Sequence, residues 1–381
     1  METVSPKLRR SLVKLRSFGA FLSEIIAGSL AAPGKPLRWT IIANPGAGGF
    51  TINRRWKKHE KVLAAKAEQA RGNPFRKNAL PSVRALAGPE QELGAFGLIP
   101  TAAPGHARTI TRDLIKEAAR SGDFYLIVTA GGDGTSLEVL EALFQAPESF
   151  RSRCVILRLP LGTGNDGADA WELADALDFL IRPSRIEFTR GLILSTASGK
   201  TWPGGDPLLA FNILSAGLDA FVTHMTNKMK GNLPGDSYKL WVDIASLLYD
   251  RLYKVGPMDI RAFDDRGREI QNFREKVLLC AMGASGRRSY GSRKMILPDD
   301  RNVCVVEQMP LFRKVALKDL FTTGEHIHQR ESKLFTAVRI VLSGEYPVLA
   351  QMDGETILLT KEDFPAVIEL TEKVIPVLRK R

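Results

Sequence analysis

The sequence predicts an α/β domain with a parallel sheet, followed by a mostly antiparallel, β-rich second domain. Three observations carry that prediction. Short apolar runs alternate with helical patterns from about residue 37 to residue 187. Three of those runs end in a glycine-rich turn. Beyond residue 187, strand-like runs broken by turns take over. Short apolar strands alternating with helices mean a parallel sheet covered on both faces, and successive strand-like runs mean antiparallel pairing.

Taken in order, the chain opens with "KLRRSLVKLRSFGAFLSEIIAGSL", where Leu8, Leu12, Leu15, Leu22 and Ile26 recur at helical spacing among Lys7, Arg9, Arg10, Lys14 and Arg16. Such a helix suits an anionic bilayer or a face of its own protein or of a second subunit. Glu24 interrupts the apolar region, so the segment is a poor signal peptide. "APGKP" (Ala32 to Pro36) breaks the helix and sets residues 1–36 apart. "RWTIIANPGAGG" reads as a buried strand entering a glycine turn, and Asn53 to Arg71 as a polar helix. "GAFGLIPTAAPGHARTITRDLIKEAARSG" gives a strand, a turn and a helix with Ile110, Leu114, Ile115 and Ala118 on its apolar side. "FYLIVTA" is a third strand, "SLEVLEALFQ" a helix and "CVILRLPLG" a fourth strand. Residues 37–187 form the α/β domain and 188–350 the β-rich one, interrupted by a helical stretch from Thr223 to Tyr253. Residues 351–381 hold a turn and a tail, "AVIELTEKVIPVLRK", that Pro376 and its β-branched residues favour as strands.

Composition bounds the partners. Lys and Arg outnumber Asp and Glu by 54 to 42, a net charge of +12, and 44% of the 381 residues are hydrophobic. A basic excess suits nucleotide phosphates, nucleic acid or an anionic membrane surface, and equally a plain solvated surface. No nucleic-acid recognition motif accompanies it, so nucleic acid is not expected. Cys154, Cys280 and Cys304 are scattered and odd in number, which points to a reducing compartment. No run of 18 apolar residues exists, so no membrane-spanning helix is expected and the cytoplasm is the expected location.

"LIVTAGGDGTSLEVL", Leu126 to Leu140, carries the chemistry. At the carboxyl ends of parallel strands, glycines let backbone N–H groups approach phosphate oxygens beside a helix N-terminus. An aspartate there repels a phosphate unless a divalent cation or a transferring phosphoryl group stands between them. Asp133 therefore suggests a Mg-nucleotide, with a simple helix cap as the other reading. "NPGAGG" (Asn44 to Gly49) and "PLGTGND" (Pro160 to Asp166) end two further strands, and three such turns in one sheet argue for a ligand. No Walker lysine pattern is present.

"NPGAGG", "TAAPGHA", "GGDGT", "PLGTGND", "NILSAGLDA" and "DGE" resemble, in order and spacing, the diacylglycerol kinase catalytic family, which includes sphingosine, ceramide and bacterial lipid kinases. The resemblance runs from about Arg38 to the C-terminus. It implies a nucleotide-binding α/β domain like that of NAD and diacylglycerol kinases, a β-sandwich domain, and an active site in the cleft between. It also implies ATP and Mg as cofactors and a lipid alcohol as acceptor, most simply diacylglycerol giving phosphatidic acid.

Carried over by position, Asn44, Pro45, Gly46, Ala47 and Gly48 would hold phosphates, and Thr101 would lie near the nucleotide. Gly131, Gly132, Asp133, Gly134 and Thr135 would wrap the phosphates, with Gly162, Thr163 and Asn165 closing the floor. Asp133 and Asp166 would face the metal, and Asp353 and Glu355 of "QMDGE" would supply the base. On local sequence alone, Asp-Gly there is also an ordinary hairpin turn.

The sequence departs from the family where a Ser-Gly-Lys is common: Gly48, Gly49 and Phe50 stand there, without the lysine. Ser136, Leu137 and Glu138 replace the usual Leu-Asn-Glu, and a secondary metal site is not expected at Asp299 and Asp300. The basic run with Arg287, Arg288, Arg293 and Lys294 suits a phosphate or plain solvent. His224, His326 and His328 receive no role. The expected partners are ATP, a lipid alcohol, an anionic inner membrane surface reached by the N-terminal helix, and a second copy of the chain. Two other readings stay open: a kinase of this fold for a soluble acceptor, NAD or a sugar phosphate, and a non-catalytic nucleotide- or lipid-binding relative.

Overall fold

The computed structural model describes residues 6–29, 37–72, 79–81, 91–119, 121–162, 165–229, 249, 253–290 and 294–381. The chain divides into two compact units, Met1–Thr189 with Val374–Arg381, and Arg190–Lys373.

The first unit contains helices α1 (Pro6–Ala27), α2 (Gly48–Thr51), α3 (Asn53–Arg71), α4 (Gln91–Gly94), α5 (His106–Ala118), α6 (Asp133–Phe144), α7 (Glu148–Arg151) and α8 (Leu173–Ile181). Its strands are β1 (Leu37–Ala43), β2 (Ala79–Pro81), β3 (Leu98–Pro100), β4 (Phe124–Gly131), β5 (Cys154–Pro160) and β6 (Ser184–Thr189), joined by the last strand of the chain, Ile375–Lys380. The sheet order is β2-β1-β4-β5, then the last strand, then β6, with β3 also on β1. All pairs are parallel except β6 with the last strand. β4 and β5 are buried at every residue, because helices cover both faces of a parallel sheet. That is why they read as unbroken apolar runs.

Helix α3 buries Trp56, Leu63, Ala67 and Ala70, one side of an otherwise charged helix. The first helix spends its apolar stripe the same way. Leu15, Phe18, Leu22, Ile25 and Ile26 are at most 1% exposed and belong to the core of this unit. Of the three surfaces expected for that stripe, bilayer, own protein or second subunit, its own domain takes it. A bilayer is left Val13 as the exposed large apolar residue of the described part. The side chains of Lys7, Leu8, Arg9 and Arg10 lie outside the described residues. No described helix is long and apolar enough to cross a membrane.

The second unit runs β7 (Leu192–Thr196), β8 (Leu208–Ala210), β9 (Ile213–Gly217), α9 (Leu218–Met229), β10 (Pro257–Phe263), β11 (Glu269–Gly283), β12 (Arg288–Tyr290), β13 (Lys294–Leu297), β14 (Val303–Glu307), α10 (Leu311–Thr323), β15 (Ser332–Phe335), β16 (Arg339–Gly344), β17 (Val348–Met352), β18 (Glu355–Leu359) and β19 (Ala366–Leu370). Eleven described strands join into one antiparallel array around the long β11. The first half of β11 pairs with β10, and its buried second half with β9 and β14. The tail is strands, as Pro376 suggested, but they do not pair with each other. β19 stays in this unit against β16 and β7, while the last strand, β20 (Ile375–Lys380), returns to the first.

Candidate active site

In the first unit the three glycine turns end β1, β4 and β5, neighbours in the sheet, so parallel pairing sets them side by side. The first turn is built on Asn44. Its side-chain oxygen accepts the N–H of Gly46 at 2.8 Å, and its amide reaches Thr135 Oγ1 of the second turn at 3.4 Å. Gly49 N–H donates to the Leu161 carbonyl at 2.8 Å, which docks the first turn on the third. A Cβ on Gly49 would stand 2.9 Å from that carbonyl.

The second and third turns pack backbone on backbone. A Cβ on Gly162 would lie 2.5 Å from Gly132 Cα, a contact no side chain permits. Gly162 N–H donates to Asn165 Oδ1 at 2.6 Å, and Asn165 takes a left-handed φ of 62° to close the turn. Gly167 N–H then donates to Asp133 Oδ1 at 2.9 Å. Burial pushes the Asp133 carboxyl up, opposed by backbone N–H groups of Gly167, Asp166 and Asn165 and by the charge of Arg158. Asp133 is thus both the first residue of α6 and the group on which the third turn closes. Thr163 lies outside the described residues.

Thr101 follows β3 and donates its N–H to the Ala43 carbonyl at 2.8 Å, which places it at the β1 end of the same row. Glu138 of α6 caps α5, accepting the N–H groups of Gly105 at 2.7 Å and Ala107 at 3.0 Å. Those amides are therefore engaged by a carboxylate. From α3, Arg55 points its guanidinium at the Gly162 carbonyl, 3.4 Å away.

The donor chemistry suits magnesium. That ion binds through one or two carboxylates, phosphate oxygens and retained water, and needs no protein cage. Asp133 and Asp166, with an Asp166 N–H bond to Asp133, offer that pair. Among the described residues no cluster of three or more His, Cys, Asp or Glu side chains exists.

The second unit holds the other motif. Asp353 and Gly354 form a tight hairpin turn from β17 to β18, both at positive φ, 47° and 106°. The Asp353 carboxylate is held by backbone N–H groups of Phe211, Asn212 and Ile213, the last at 2.9 Å. Glu355 is exposed at the start of β18.

Sequence reasoning gave no role to Asp219, the first-turn acid of α9. Its carboxylate accepts Ser215 Oγ at 2.7 Å and Gln351 Nε2 at 3.3 Å, both from fully buried side chains. Gln351 in turn accepts the Gly354 N–H at 3.0 Å, linking Asp219 to the hairpin turn. Burial outweighs these bonds and the charge of Lys294, and pushes the Asp219 carboxyl up to about 6. The signal in the sequence was an Asp two residues after a strand-ending glycine in "NILSAGLDA". α9 is further tied to the hairpin by His224 to Thr356 at 3.2 Å and Asn227 to the Gly354 carbonyl at 2.8 Å.

The basic run does not act as one cluster. Arg287 pairs with Asp300, Arg288 reaches Asn212 Oδ1 at 3.4 Å, and Arg293 lies outside the described residues. Asp299 is paired with Arg301. His326 is buried, stacked on Phe321.

The family model of the diacylglycerol kinase catalytic domain matches residues 38–187, the stretch that carries all three glycine turns. No curated protein matches the chain. Two solved structures of a protein from Bacillus anthracis str. Sterne assigned as a diacylglycerol kinase share the fold. One is 18% identical with a TM-score of 0.53, covering 90% of this chain and 97% of that one. The other is 18% identical with a TM-score of 0.52, covering 90% and 96%. The stretch that the family model matches is thus an α/β unit, with a mostly antiparallel β unit following it.

Proposed function

We propose that the protein is an ATP-dependent lipid kinase that transfers the γ-phosphate to a lipid hydroxyl, with diacylglycerol as the first acceptor to test. The observation that carries this reading is the closing of three glycine turns around Asp133 in a kinase-family domain, with Gly162 packed on Gly132. Asn44, Pro45, Gly46, Ala47 and Gly48, whose Gly46 and Ala47 N–H groups bond Asn44 and fix the turn, are assigned with Gly131 to Thr135 at the start of α6 to line the phosphates. Thr101, Gly162, Thr163 and Asn165 complete the nucleotide side. Asp133 and Asp166 would hold magnesium, which when bound neutralises charge on the transferring phosphoryl group.

A lipid hydroxyl is a poor nucleophile and loses its proton as the new P–O bond forms. Asp353 and Glu355 were expected to take that proton. The bonding in the second unit favours Asp219 for it, because its carboxyl titrates near 6 while the Asp353 oxygens are occupied by three backbone donors. On this reading Asp353 shapes the turn and Glu355 contacts the acceptor from an exposed position.

The test is phosphate transfer from labelled ATP to diacylglycerol, monoacylglycerol, sphingosine, ceramide or no lipid in mixed micelles. Wild type is compared with Asp133→Asn, Asp219→Asn, Asp353→Asn and Glu355→Gln. A labelled lipid from wild type that Asp133→Asn abolishes supports the kinase and names its acceptor. ATP binding without transfer to any lipid would sink the lipid-kinase reading.

A further inference from the structure

The C-terminal strand brings charges to the nucleotide unit that the glycine turns alone do not call for. β20 meets β5 through one ladder pair, Val377 with Ile156. Two residues further along each strand stand Arg379 and Arg158, two cations on adjacent strands. Like charges so placed repel. Asp169 resolves the conflict. Its fully buried carboxylate accepts Arg158 Nη2 at 2.8 Å and Arg379 Nη1 at 2.6 Å, with side-chain exposures of 7% and 25% for the two arginines. Its second oxygen accepts the Arg158 backbone N–H at 2.7 Å, and its own N–H returns a bond to the Arg158 carbonyl at 3.1 Å.

A buried triad with excess positive charge is a poor way to join two strands, since apolar residues of similar volume do as well or better. Its position says more. Asp169 lies two residues after Gly167, the N–H donor to Asp133, and Ala168 N–H is bonded back to the Asn165 carbonyl at 3.2 Å. The turn is therefore pinned at its start by Asn165 on Gly162 and at its end by Asp169 on the two arginines.

We propose that Arg379 is a positioning residue for the nucleotide: acting through Asp169, it holds the Asn165–Gly167 turn against Asp133. The inference rests on the nucleotide role assigned above. It extends the nucleotide site to the last strand of the chain, about 210 residues beyond the turn.

The test is Mg-ATP binding to the full chain by titration calorimetry, comparing wild type, Arg379→Met, Arg379→Gln and Arg379→Lys. Positioning predicts that Arg379→Met and Arg379→Gln weaken affinity about tenfold or more at unchanged stoichiometry, the usual effect of removing a group that orients a ligand-binding residue. Arg379→Lys, which keeps the charge, should return to within about threefold of wild type. If Arg379→Met does not fold, Arg379→Gln, which keeps a donor toward Asp169, decides alone. Wild-type affinity in the folded variant would overturn the proposal, as would a loss of stoichiometry alone or an Arg379→Lys no better than Arg379→Met. Absence of Mg-ATP binding by wild type would remove the nucleotide reading itself, a result distinct from wild-type binding that the Arg379 variants leave intact.

Discussion

Asp133 and Asp353 sit in two different units and look alike in the sequence, each an acid beside glycine in a turn. Their surroundings separate them. Asp133 opens a helix and closes a facing turn, with burial working against its charge. Asp353 is enclosed by three consecutive backbone N–H groups that hold the start of β9. The comparison teaches that a conspicuous motif carboxylate can be a structural clamp, while in a quieter neighbour, Asp219, burial outweighs the bonds to the carboxylate and pushes it up to about 6.

The largest expected effect tests the first half of that comparison. Asp133→Asn should lower ATP-dependent turnover about 1000-fold with the fold intact, as loss of a group facing the transferring charge does. Steady-state rates beside circular dichroism check it, and retained activity would remove Asp133 from the chemistry.

Asp219→Asn should cost about 100-fold in turnover, the scale of a general base. It should also stabilise the protein, and the sign depends on pH. Below about pH 3 Asp219 is protonated whether folded or not, so it carries no penalty. As pH rises toward 6 the unfolded chain ionises it while the fold keeps it neutral, and stability is lost. The loss reaches roughly 2–3 kcal/mol above pH 6. Denaturant midpoints at pH 8 should therefore rise in Asp219→Asn, and those at about pH 3 should not.

Asp353→Asn should act mainly on stability. It weakens three charge-assisted bonds, and unfolding should become easier by about 3 kcal/mol. Turnover per folded molecule should fall less than in Asp219→Asn. The opposite order would return the proton to Asp353. Glu355→Gln should have the smallest effect, less than about fivefold in kcat/KM for the lipid, because an exposed carboxylate is well solvated.

Much of the first unit was legible in the sequence. Helix α3 spans Asn53–Arg71 as its polar helical pattern indicated, and the glycine turns end β1, β4 and β5. Those features depend on local periodicity and on glycine. The bilayer option for the first helix was not decidable, because Leu15, Phe18 and Leu22 make the same stripe whether lipid or protein covers it. Ser136 and Leu137 read as departures from a pattern whose glutamate Glu138 keeps, and the cap of Glu138 on α5 appears only where α5 and α6 are packed together.

The sequence by itself determined which residues are apolar, which strands are buried on both faces, and where the backbone is bare enough for phosphate. Tertiary structure alone decided which carboxylates keep their charge and which charges meet. Asp169 finds Arg379 from the far end of the chain, Asp353 finds the amides of Phe211, Asn212 and Ile213 where β9 begins, and Asp219 loses water under Gln351 and Ser215. Propensity and periodicity act over a few neighbours along the chain, whereas desolvation and ion pairing depend on distances in space that only folding sets.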